Sequence, residues 1–191
     1  MRRFTYAEHR SESCVGGSHR FIITFVFTLR PTQKLAQRLR LPIPASTPNI
    51  QNYVADWCVQ DFRAGRTRYL LFVNTPSLLP LIVHARGLNT LDGLIRGFVE
   101  GFKITWEGTP WMSQFDRWIA PELPTVQLGR IPGRSLLGST NDFIRMAYFH
   151  LHEDGRSPAK TSRELACAPM GYLGMNSPER VFLTLKRRLL K

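Results

Sequence analysis

Cysteine is scarce: the chain has three in 191 residues, Cys14, Cys58 and Cys167, and no two stand in C-x-x-C spacing. That excludes a disulfide framework and a structural zinc site, and it fits a reducing cytoplasm. Long hydrophobic runs are missing too. Phe21 to Leu29 is short, and Tyr69 to Val83 is broken by Asn74, Pro76 and Pro80, so no stretch reaches the roughly 20 apolar residues of a membrane helix. The opening Met-Arg-Arg-Phe-Thr-Tyr-Ala-Glu-His has no apolar core of the kind a signal peptide needs. Acidic side chains are few, 14 against 26 basic ones, for a net charge of +12 and a pI near 10.5. The excess is almost all arginine, 21 against five lysines, scattered from Arg2 to Arg188. Such charge attracts nucleic acid or another anionic partner, although a GC-rich coding sequence would leave the same composition. No nucleophile elbow, zinc-protease pair, phosphate loop, dinucleotide fingerprint or internal repeat occurs, and nothing calls for a cofactor or a metal.

What is present is a globular composition, 43% hydrophobic with 11% aromatics, in a chain long enough for one domain. Residues 1–19 are polar and aperiodic and read as a flexible N-terminal extension, with a single α+β domain over 20–191. The alternation from Phe21 to Leu29 predicts a strand. Pro31, then Leu35, Ala36 and Leu39 at helical spacing, predicts a short helix ended by Pro42 and Pro44. Tyr53 to Phe62 and Thr67 to Asn74, joined by Ala64-Gly65-Arg66, predict a hairpin, and Leu78 to His84 adds a third strand to the meander. Asn89 or Thr90 caps a helix whose stripe is Leu91, Leu94, Ile95, Phe98 and Phe102. Gly93, Gly97 and Gly101 recur along it at a cost of about 1 kcal/mol each against alanine, which predicts a close approach by another element. Thr109-Pro110 opens a helix that runs to Pro121, with its rings in the core. Thr125 to Ile131 is a further strand, Phe143 to Leu151 a helix ended at Asp154-Gly155, and Ser177-Pro178 opens a last helix. Lys186, Arg187, Arg188 and Lys191 then suit that helix's C-terminal dipole. The expected fold is α+β, a mainly antiparallel sheet of four to five strands with helices packed on it. Cys58 and Cys167 sit in apolar settings that suit small buried hydrophobes.

The segment Gly133 to Asp142 brings a glycine, hydroxyls and an arginine to a strand-to-helix corner. There Arg134 would pair an anionic charge, Ser135 and Ser139 would donate hydroxyls, Gly138 would let the backbone approach, and Asn141 would complete the corner. The competing explanation is local: Ser139 or Thr140 caps the helix, Asp142 sits in its first turn and Gly138 permits the bend. Secondary candidates are Asp56, Trp57, Asp142 and His150. Trp57 would stack a base or sugar, and an enzyme acting on a phosphorylated or acidic small molecule would draw a titratable group from the other three. Asp56 and Asp61 face opposite sides of a strand, and His150 and His152 are about 200° apart on a helix, too far round to share one ion. The reading that results is a non-enzymatic cytoplasmic module for an anionic ligand or partner, with nucleic-acid binding and small-molecule chemistry as alternatives and no membrane partner.

Arg134-Ser-Leu-Leu-Gly-Ser-Thr-Asn-Asp142 also carries a family resemblance. Together with Thr32-Gln-Lys-Leu-Ala36, Asp56-Trp57, Leu71-Phe-Val-Asn74 and Met170-Gly-Tyr-Leu-Gly-Met-Asn-Ser-Pro178, it resembles an uncharacterised prokaryotic family, domain of unknown function 6933, over roughly residues 21 to 190. The resemblance implies a small bacterial or archaeal cytoplasmic domain that starts near the first strand, and it brings no established activity. After Asp56-Trp57 the chain departs from the pattern, with Cys58-Val59-Gln60 in place of an aromatic or histidine and Ala-Asn.

Overall fold

The computed structural model describes residues 5–6, 26–45, 50 and 52–185. The rest of the N-terminal stretch, Phe21 to Phe25 and the cations from Lys186 onward lie outside the described residues. Five strands of four residues or more form one mixed sheet: β2 (Phe27–Pro31), β3 (Asp56–Ala64), β4 (Thr67–Asn74), β5 (Pro80–His84) and β6 (Thr125–Leu128). A two-residue β1 (Thr5–Tyr6) pairs in parallel with Thr125 and Val126 at the edge, giving the order β1-β6-β2-β3-β4-β5. The antiparallel part is the expected meander, β3–β4–β5, with the longest ladders; β2 joins β3 and β6 in parallel.

Alternation along the strands splits the core in two. Phe27, Leu29, Trp57, Val59, Leu70, Phe72 and Leu81 face one side, and Cys58, Phe62, Tyr69, Leu71, Val73 and Ile82 the other. The first side is covered by α1 (Gln33–Leu39), through Leu35, by α2 (Leu91–Trp106), through Leu94, Phe98 and Phe102, and by Phe182 of α6 (Pro178–Thr184). The second is covered by α4 (Arg134–Tyr148), through Leu136, Phe143 and Ala147. α5 (Pro158–Cys167) runs beside the free edge of β5, with Leu165 in one core and Ala166 in the other. The Ile82 amide donates to Ser162 Oγ of α5 at 2.8 Å, so an edge amide that would otherwise invite another strand is satisfied.

Local signals explain most boundaries. The expected hairpin through Ala64-Gly65-Arg66 is present: Ala64 pairs with Thr67, leaving a two-residue turn whose first position, Gly65, has φ +57°. Thr90 caps α2 by accepting from Gly93 N at 3.0 Å. Buried Asn74 shares its amide protons among the carbonyls of Tyr53, Val54 and Asp56 at 3.0–3.2 Å, and its oxygen accepts from Ser77. That network holds the β4–β5 turn and lets Leu78 sit at φ +61°, so β5 begins at Pro80 and not at Leu78.

Other boundaries differ from the sequence reading. Pro31 ends β2 in register with Val59, and Thr32 caps α1, because a proline that donates no ladder hydrogen bond fits a strand end as well as a first helical turn. α3 (Pro110–Gln114) passes into a π-helical turn over Phe115–Ile119 before Pro121. β6 stops at Leu128, where Arg130 and Ile131 leave the sheet. α5 was not anticipated, although Ser157-Pro158 is the same start signal as Ser177-Pro178. Among the described residues no helix is long and apolar enough to cross a membrane.

The glycine stripe of α2 meets a close approach, as expected. A Cβ on Gly97 would collide with Leu88 and one on Gly101 with Val83 of β5, whereas a Cβ on Gly138 would meet nothing within 4 Å. By chemical denaturation, Gly101→Ala is expected to cost about 1–3 kcal/mol through overpacking, and Gly138→Ala to gain about 1 kcal/mol as an ordinary helix-interior substitution.

Candidate anion-binding site

The strand-to-helix corner lies upstream of its expected position. α4 begins at Arg134, with Gly133 before it at φ +133°, a conformation other residues rarely adopt. Burial of Leu136 in the second core draws the chain into helix at once. Gly138, Ser139, Thr140 and Asn141 are therefore helix-interior residues, and neither Ser139 nor Thr140 is the cap. Their hydroxyls donate back to Ser135 O at 3.3 Å and Leu137 O at 2.9 Å, as serine and threonine do inside helices. Buried Ser139 cannot serve as an outward hydroxyl donor, and Gly138 is not needed for backbone approach. Asn141 Oδ1 accepts from Gln60 Nε2 at 3.3 Å.

What remains at the new corner is chemically simple. Gly133 gives α4 no side-chain cap, so the first-turn amides have no partner within the helix, and Arg134 and Ser135 in that turn are exposed. Arg134, Leu137 and Asn141 share one helix face by their spacing. Leu137 lines a cleft of about 480 Å³ together with Pro31, Thr32, Gln33, Ile43, Arg130 and Ile131. The cleft opens beyond the carboxyl ends of β2 and β6. From there α1 departs to one face of the sheet and α4 to the other. Arg130, which sequence reasoning did not single out, walls it; its Nε donates to Pro44 O at 3.2 Å, and among the described residues its terminal nitrogens have no hydrogen-bond partner.

Behind this wall lies a buried polar cluster. Arg30 Nε donates to Asp56 Oδ1 at 2.7 Å, both side chains being all but fully buried, and Arg30 Nη1 donates to the Arg130 carbonyl. Burial pushes the Asp56 carboxyl up, while the Arg30 guanidinium and the Thr75 hydroxyl pull it down. Cys58 Sγ lies 3.5 Å from Thr75 Oγ1, and burial pushes its thiol up to about 12.

The secondary candidates do not gather at the cleft. Asp56 is occupied by Arg30. Trp57 is fully buried, donates to Val54 O at 2.8 Å and packs edge-on against Phe98, Phe102 and Phe182, so it offers no face to a base or sugar. Asp142 is exposed two turns along α4, 3.4 Å from Arg145. His150 sits in a π-helical turn beyond the end of α4, 3.3 Å from Asp154 and 3.8 Å from Glu164. No group of His, Cys, Asp and Glu able to hold a metal occurs among the described residues. Cys167 is exposed, contrary to its apolar sequence setting.

Two outcomes follow. Arg30→Met is expected to cost about 3–5 kcal/mol by stranding the Asp56 carboxyl, and Arg30→Met/Asp56→Leu to recover most of it, read by denaturant unfolding. Under native conditions at pH 8, peptide-mapped alkylation is expected to modify Cys167 and to spare Cys58, protonated and buried, until the chain unfolds.

No curated protein and no solved structure matches this chain. Residues 28–181 match the model of the family described as Domain of unknown function (DUF6933), and the chain belongs to that family.

Proposed function

We propose that the domain is a non-enzymatic, cytoplasmic binding module that takes a small anionic group into the cleft at the carboxyl ends of β2 and β6. The observation that carries this reading is the position of the cleft. In sheets with parallel strands, ligands collect outside the carboxyl ends where successive connections leave for opposite faces, and α1 and α4 diverge at this point. The charge of the walls adds to it. Arg130 lines the cleft, and so does Leu137 of α4, one turn after the uncapped start of the helix, where Arg134 and Ser135 are exposed. The lining holds a hydroxyl, an amide and a guanidinium but no carboxylate, imidazole or thiol, a set suited to holding an anion and not to moving its protons.

Inorganic phosphate is the probe. At constant ionic strength, phosphate is expected to raise the melting temperature above that in chloride, by mass action on the folded state. Arg130→Ala and Arg134→Ala are each expected to weaken phosphate roughly tenfold or more in calorimetry, as loss of a hydrogen bond to a charged group does. Equal stabilisation by phosphate and chloride, or full phosphate affinity in both variants, refutes the assignment.

A further inference from the structure

A second basic feature lies on the same edge of the sheet and shares no lining residue with the cleft. It is a trench of about 820 Å³ lined by Arg38 of α1, Arg63 of β3, Arg68 of β4 and Arg86 beyond β5, with Thr67 and His84. Arg63 and Arg68 are directly opposed across the β3–β4 ladder and therefore share a face. Like charges at directly opposed positions destabilise a sheet. Among the described residues nothing relieves this pair: Arg63, Arg68 and Arg86 have no carboxylate partner and no side-chain hydrogen bond there. Asp61, on the same face, is engaged by Arg38 at 3.7 Å.

We propose that this trench binds the phosphodiester backbone of a nucleic acid without reading its sequence. Guanidinium forks match phosphate oxygens two at a time, and a row of them neutralises successive phosphates with release of counterions. The lining offers no phenylalanine, tyrosine or tryptophan and no large aliphatic side chain. It therefore lacks a large aromatic platform for bases and an apolar pocket that anchors a peptide, and its one ring, His84, lies against Tyr69 at 4.9 Å between centroids. Phosphate contacts position a nucleic acid but carry no sequence information, so the expected partner is any nucleic acid whose backbone fits the trench.

The test is fluorescence anisotropy of the full chain with a labelled DNA duplex and a labelled single strand, over a salt series, with polyglutamate as competitor. Binding to at least one probe is expected, alike for two unrelated sequences, with affinity falling as salt rises. Arg63→Gln/Arg68→Gln is expected to flatten the slope of log affinity against log salt by about 1.4 to 1.8, two phosphates' worth, and Arg86→Gln by about half of that. The double variant should melt at the same temperature or higher, because it removes a like-charge pair, so weaker binding cannot be ascribed to unfolding. Arg145→Gln, at an exposed arginine of α4 that lines neither the trench nor the cleft, should leave the slope unchanged. An unaltered slope in both trench variants, a marked preference for one sequence, or displacement of DNA by polyglutamate at equal charge concentration overturns the proposal, the last in favour of an acidic protein partner.

Discussion

The buried contact between Arg30 and Asp56 constrains everything around the cleft. A guanidinium and a carboxylate withdrawn from water cost more than their mutual attraction returns unless their remaining hydrogen-bonding capacity is met. Here it is met by particular neighbours: the Arg130 carbonyl beyond β6 takes one guanidinium N–H, and the Thr75 hydroxyl beyond β4 reaches the carboxylate. The pair therefore ties the parallel strands β2 and β3 to each other, to the end of β4 and to the loop that walls the cleft. A slip of β2 by one residue would turn Arg30 into the aromatic core and Leu29 away from it. The charge pair thus fixes register where two parallel strands, unlike a hairpin, have no tight turn to fix it for them.

Strand direction does the next piece of work. β2, β3, β5 and β6 all point one way and β4 alone runs against them. Four carboxyl ends consequently share one rim, and the cleft and the trench both lie along it. Arg130 and Arg134 stand near one end, Arg63, Arg68 and Arg86 near the other, and Arg38 on α1 reaches the trench from above β3. Six arginines therefore lie along one rim, and like charges gathered in this way steer anions toward a surface before any specific contact forms.

What could be read from the sequence was whatever a few neighbouring residues decide. The Gly65 hairpin, the Thr90 cap and the α2 glycine stripe facing a close neighbour needed no distant partner. The start of α4 was misplaced because hydroxyls at Ser139 and Thr140 look like caps, whereas burial of Leu136 against the far sheet face settles the question three residues earlier. Tertiary packing also decided Trp57, whose strand position allowed either face and whose aromatic neighbours come from α2 and α6. Cys167 went the other way: flanking alanines suggested burial, but its place on α5 turns it outward.

The arginine scatter has the same explanation at a larger scale. Arg38, Arg63, Arg68 and Arg86 come from α1, β3, β4 and the loop after β5, and only the folding of the sheet brings them to one rim, so a search for basic runs passes over the trench. One part of it was nevertheless implicit in the hairpin. Once Gly65 and Arg66 form a two-residue turn, Ala64 must oppose Thr67, and the next pair outward is Arg63 with Arg68. Because pairing on one face is compulsory from that point, the two cations could be separated only by abandoning the turn or changing a residue. A fold selected for stability alone would place an acid at one of these positions. Keeping arginine at both is intelligible where an anion arrives to sit between them.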